Sequence, residues 1–219
     1  KEAKSKYLIL DIRNNLGGSL DEINNLYSYL TTENYTLVKM PEMTFENAAI
    51  HRNYFYNLPT TSKIISAPAY PFFIAGNRFL SGKNKEGKAI FKESAAKESK
   101  SKKDAFQGKI YVLVNGSSFS ASSIFSAKLK HDKRAIIVGE ETGGANDGTV
   151  AGFNNTIELN YSRLNLPIGL LFIQPNIEPL GQKRGVMPDV EVDADFYNVS
   201  QGKDLQLEWI LNDIKKKSD

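Results

Sequence analysis

The chain has 219 residues, of which 41% are hydrophobic and 24% charged, enough to bury a sizeable core without crosslinks. Its net charge of +3 comes from interleaved signs, which excludes the single-sign basic stripe of a nucleic-acid binder. It has no cysteine, which excludes disulfides, thiolate zinc sites and a cysteine nucleophile, and it has no apolar run long enough to span a membrane.

Lys1 to Lys6 carry no initiator Met and no signal peptide and lead straight into a strand, as in a core trimmed upstream. Tyr7-Leu8-Ile9-Leu10-Asp11-Ile12 reads as a buried strand and Arg13 to Gly18 as a turn. A helix follows, capped by Ser19, with Leu20, Ile23, Leu26, Tyr27 and Leu30 on one face. Tyr35 to Met40 reads as the next strand, which predicts a βαβ unit. His51 to Phe79 is irregular and rich in aromatics and proline. Ser81 to Asp104 is dense in lysine and predicts an exposed excursion within a single domain spanning 1–219.

Periodic order returns at Lys109 to Val114, another buried strand. Asn115 to Phe119 is a turn, and a helix runs from about Ser120 to Lys130. Arg134 to Gly139 is a strand, Gly143 to Gly148 a glycine-rich loop, and Thr149 to Ile173 several short β segments. The chain ends in a helix with Leu207, Ile210, Leu211 and Ile214 on one face.

The segment with chemistry in it is Asn115-Gly116-Ser117-Ser118-Phe119-Ser120-Ala121-Ser122-Ser123. It joins a buried strand to a helix. A residue there sits beside unpaired backbone N–H groups and the positive end of the helix dipole. A serine in that place can attack a carbonyl while neighbouring amides receive the oxyanion. The Gly-x-Ser-x-Gly pattern is absent, and the same serines suit a plain helix cap. A phosphate turn is disfavoured by the missing Gly-Lys-Ser/Thr ending. Gly17 and Gly18 let the first turn bend sharply, and an N–H from either would supply half of an oxyanion hole, with Ala121 N–H as the other half.

Four ordered segments together resemble the C-terminal processing peptidase and tricorn protease family. They are Leu8 to Gly18, similar to its Asp-Leu-Arg-x-Asn-x-Gly-Gly turn; Tyr111 to Ser122; Ile137 to Gly144, similar to Val-Gly-Glu-x-Thr-x-Gly; and Arg184 to Val192, similar to Gly-Val-x-Pro-Asp-x-x-Val. The resemblance implies an α/β fold of layered ββα units like that of the crotonase and Clp peptidase superfamily, with a β-rich C-terminal part and a terminal helix. It implies a serine-type peptidase acting on protein or peptide substrates without a cofactor or metal. Ser120 takes the nucleophile's place, with Ala121 and Gly17 or Gly18 at the oxyanion positions.

One departure stands out. The C-terminal processing branch has a lysine as general base where this chain has Ala145. The tricorn-like branch uses a histidine from an upstream domain and a late glutamate, for which Glu178 is the candidate orienting acid. Neither His51 nor His131 falls at a matching position. The base is therefore expected outside this chain, which alone would be inactive or nearly so. The alternative is a catalytically silent peptide- or lipid-binding module of the same fold. A crotonase-like acyl-thioester enzyme is disfavoured, since the sequence offers no adenine or phosphate site. The resemblance further implies an upstream peptide-binding domain and an extracytoplasmic location.

Overall fold

The computed structural model describes residues 5–44, 46, 60–178, 180 and 183–218. In chain order the elements are β1 (Tyr7–Asp11), α1 (Leu20–Ser28), β2 (Glu42–Met43), α2 (Thr60–Ser66), α3 (Tyr70–Leu80), β3 (Ser81–Lys83), β4 (Ala89–Phe91) and β5 (Lys109–Val114). They continue with α4 (Ala121–His131), β6 (Ala135–Gly139), β7 (Thr149–Glu158), β8 (Asn165–Ile173), β9 (Val190–Glu191), α5 (Phe196–Ser200) and α6 (Leu205–Ser218). The chain divides into two compact units. One comprises 1–37, 97–148 and 175–219, the other 38–96 and 149–174.

The first unit is built on a parallel sheet in the order β1-β5-β6-β9. The unbroken apolar run of β5 suits a strand covered on both faces. On one face Tyr111, Leu113 and Val138 form a core with Ile210 of α6, joined by Leu207, Trp209 and Ile214. Leu211, expected on that face, is instead 45% exposed. The apolar face of α6 has turned to bring the larger Trp209 inward. Strand alternation sends Ile110 and Val112 to the other face, where α4 packs on β6 and α1. Ser19 caps α1 as expected, accepting a hydrogen bond from Glu22 N at 3.4 Å.

The strand predicted at Tyr35 to Met40 does not form a ladder. Tyr35 makes an isolated bridge with Ser99, and the parallel partner of β1 is β5. The βαβ reading therefore fails at its second strand, because pairing with a distant buried run won over the nearer one.

In the second unit an antiparallel sheet runs β3-β4-β2-β8-β7. The segment from Thr149 to Ile173 forms one long hairpin of β7 and β8 rather than several short pieces. The Lys-rich stretch supplies β3 and β4, since Ala89, Ile90 and Phe91 give it a partly buried run between its lysines.

Arg134 ties the first unit together from the edge of β6. Its guanidinium donates to the carbonyls of Leu30, Phe106 and Gly108, using the fork that lysine lacks. We expect Arg134→Ala to lower unfolding free energy by about 2 kcal/mol, seen as a lower denaturation midpoint with unchanged slope.

Tyr111 is fully buried, and its hydroxyl donates to Asp213 Oδ2 at 2.6 Å. Burial, then the Asp213 carboxylate, pushes this phenol up to about 12. The native state thus holds its proton more tightly than the unfolded chain. The associated stability is intact below about pH 10, the ordinary tyrosine value, and is lost as pH rises toward about 12. Alkaline unfolding of Tyr111→Phe should show a shallower fall over that window.

Candidate active site

The turn after β5 is wired by its own side chains. Ser118 N–H donates to Asn115 O at 2.8 Å. Ser118 Oγ accepts from Asn115 N at 3.1 Å and donates to Ile12 O at 2.9 Å. Asn115 Oδ1 accepts from Ser117 N at 3.1 Å and from Asn14 N at 3.0 Å. Asn115 Nδ2 returns to Asn14 Oδ1 at 3.0 Å. The turn after β1 and the turn after β5 are therefore one hydrogen-bonded unit.

Ser120 follows at the N-cap position of α4 with φ +52° and ψ −117°. This is the left-handed half of backbone space, which costs a non-glycine residue on the order of 1–3 kcal/mol. The Ser120 carbonyl is pinned by Ile124 N at 3.0 Å and by Ser123 Oγ at 2.8 Å. Its side chain does not cap the helix. Among the described residues Ser120 Oγ has no hydrogen-bond partner, and Ala121 N–H, at the helix start, has no acceptor.

The glycine pair lies against this turn. Asn15 O accepts from Phe119 N at 3.0 Å, and Gly17 has φ +104°. A Cβ on Gly17 would stand 2.8 Å from Ser120 Cβ, 2.9 Å from Phe119 O and 3.0 Å from Ala121 N. Gly18 is exposed, and a Cβ there would meet nothing within 4 Å. The Gly143-Gly144 loop closes a third side. Gly144 N donates to Ser118 O at 3.1 Å, and a Cβ on Gly144 would stand 3.0 Å from Ser120 N. That loop is fastened to the Arg184 segment by a bridge between Ala145 and Gly185 and by the Glu141–Arg184 ion pair at 2.5 Å. The ion pair holds the Glu141 carboxyl below its usual range.

The four sequence segments thus converge on one place. Ser120, Ala121 and Gly17 are brought together, with Gly18 beside them. Glu178 is exposed and makes no hydrogen bond to Ser120. His131 ends α4, about 16 Å along the helix from Ser120, and contacts Asp132 through Nδ1 at 2.8 Å. His51 lies outside the described residues. Among the described residues no group of His, Asp or Glu is placed to hold a metal ion. Asn15, Asn115, Ser118 and Ser122, which link the turns, were not singled out by sequence reasoning. Their one signal is a density of Asn and Ser in turns, which is also the signature of ordinary turns.

Beside these turns a polar cavity of about 460 Å³ is lined by Asp11, Arg13, Asn115, Lys203, Asp204 and Gln206, and not by Ser120. Arg13 Nη2 binds Asp11 Oδ2 at 2.6 Å and Asp204 Oδ2 at 2.7 Å. Hydrogen bonds from Arg13 hold both carboxyls below their usual range. Arg13, one of the two cations in the lining, is therefore already paired with carboxylates.

The contrast between the two glycines gives a direct test. Gly17→Ala should destabilise the fold by about 1–3 kcal/mol, because it combines a disfavoured φ with a clash against backbone. Gly18→Ala should change the unfolding free energy by less than about 0.5 kcal/mol. Equal effects in denaturant titrations would contradict this account of the loop.

Mature CPAF complexed with lactacystin superposes with a TM-score of 0.56 at 20% identity, over 98% of this chain and 44% of that one. A CPAF mutant gives a TM-score of 0.55 at 18% identity, over 91% and 40%. The photosystem II D1 C-terminal processing protease gives 0.45 at 21% identity, over 86% and 35%. This chain spans less than half the length of each. No curated protein matches it. The model of peptidase family S41 matches residues 1–192, and the chain belongs to that family.

Proposed function

We propose that this chain is the core of a serine-type peptidase that hydrolyses peptide bonds of protein or peptide substrates. The observation that carries the reading is Ser120, held at φ +52° at the start of α4 with an unbonded hydroxyl beside the Ala121 amide. In this reading Ser120 Oγ attacks the scissile carbonyl carbon and passes its proton to a general base. The carbonyl oxygen becomes an oxyanion, stabilised by Ala121 N–H and an amide of the Gly17-Gly18 pair. The intermediate collapses to an acyl-enzyme as the amine leaves with the proton, and water then releases the acid. Each amide donor would be worth roughly 3 kcal/mol of transition-state stabilisation. Family membership and the convergence of the four segments on Ser120 support the assignment.

The base is assigned to a group outside the described residues. No described titratable side chain bonds to Ser120 Oγ, and Ala145 pairs with Gly185 where the family resemblance calls for lysine. The same observation favours one second reading, a silent module that binds peptides or lipids without cleaving them. The resemblance also suggests action outside the cytoplasm, in an envelope or periplasmic compartment.

A fluorophosphonate probe separates the two readings. In the complete protein it should label Ser120, as mapped by mass spectrometry, and Ser120→Ala should lower labelling at least about 1,000-fold. A complete protein that binds peptide or fatty acid but takes no label would sink the peptidase reading and favour the binding module.

A further inference from the structure

Asn15 has no part in the bond-making steps above, yet it bonds to the glycine pair, to the residue before Ser120 and to the first turn of α4. Its side-chain Oδ1 accepts from Gly17 N at 2.9 Å and from Ser122 Oγ at 3.0 Å. Its backbone carbonyl accepts from Phe119 N at 3.0 Å. One residue thus links the glycine pair, the residue before Ser120, and the first turn of α4. A carboxamide oxygen has two lone pairs, and here one goes to the loop and the other to the helix.

We propose that Asn15 is a positioning residue that sets the span between the glycine-pair amides and the Ala121 amide; the proposal rests on the reading of Ser120 as nucleophile. Two consequences follow from the geometry. The Gly17 N–H is committed to Asn15, whereas Gly18 N–H has no acceptor among the described residues. Gly18 is therefore the amide of the pair left for an anion, and Gly17 provides the close approach. The second consequence concerns charge. An aspartate has the shape of asparagine and would accept the same two hydrogen bonds. It would also place a negative charge three residues from the Gly18 amide that must receive an oxyanion, and the two like charges would repel. The position therefore calls for a neutral acceptor of this length, which only asparagine supplies in that shape.

The test compares fluorophosphonate labelling rates of the complete protein and its Asn15→Ala, Asn15→Asp and Ser122→Ala variants from pH 5 to 9, with melting temperatures measured in parallel. Asn15→Ala should label about 10- to 100-fold more slowly, because the loop and helix amides lose their fixed span. Ser122→Ala should fall in the same direction by less, since the Gly17 hydrogen bond survives. Asn15→Asp should melt like the parent yet label slowly at pH 8, and its rate relative to the parent should climb as pH falls and the carboxylate takes up a proton. Parent-like labelling by Asn15→Ala, or by Asn15→Asp at every pH, would overturn the proposal. Should Asn15→Ala fail to fold, the aspartate variant decides. A parent protein that takes no label would remove the nucleophile reading itself, an outcome distinct from any difference between variants.

Discussion

The backbone of Ser120 is the constraint around which the first unit is arranged. A φ of +52° puts the serine at a sharp corner, and nothing in the residue itself favours that conformation. The corner persists because its neighbours leave no alternative. Behind it, β5 is paired on both sides, to β1 and to β6. Ahead of it, α4 begins with a carbonyl already fixed by Ile124 N and Ser123 Oγ. On the flanks, Gly17 and Gly144 come so close that any side chain there would collide with the turn. The conformational cost at one residue is met by the burial of a whole sheet and helix.

The same arrangement explains the electrostatics. The charged groups near the turns are largely neutralised in pairs, Arg13 with Asp11 and Asp204, and Arg184 with Glu141. What faces Ser120 is instead a set of backbone amides and a helix N-terminus. Fixed dipoles of this kind favour a transient negative charge without attracting a permanent counter-ion. A side-chain cation in the same place would bind anions outright.

The sequence was most legible where local and distant demands agree. Ile110 to Val114 is an unbroken hydrophobic run buried between two neighbours, so its strand was readable from composition alone. The turn that carries Ser120 was readable because a strand ends before it and a helix begins after it. Tyr35 to Met40 misled because a β-like run does not state its partner, and β1 found β5 instead. Leu211 misled because helical spacing alone does not fix how a face turns when Trp209 competes for the core. The linking residues Asn15 and Asn115 were hidden for a different reason. Their roles depend on hydrogen bonds to residues about a hundred positions away, as between Asn14 and Asn115, and turn composition carries no trace of such a pairing.

Ala145 lies in the loop that flanks Ser120. Its neighbours keep what the turn requires: Gly144 seats against Ser120, Thr142 Oγ1 donates to Gly144 O at 2.8 Å, and Val186 N donates to Thr142 Oγ1 at 2.8 Å. Ala145 itself continues that framework through its bridge to Gly185. The loop thus retains its mechanical duty, holding the corner closed, while carrying no ionisable side chain at that position. In the proposed reading, shaping the nucleophile and deprotonating it are separable tasks. The described residues contain a nearly complete solution to the first. A retained corner with φ +52° is costly to keep for packing alone, since a glycine at position 120 would relieve it. That cost favours a working serine whose proton acceptor comes from elsewhere over a relic turn that only fills space.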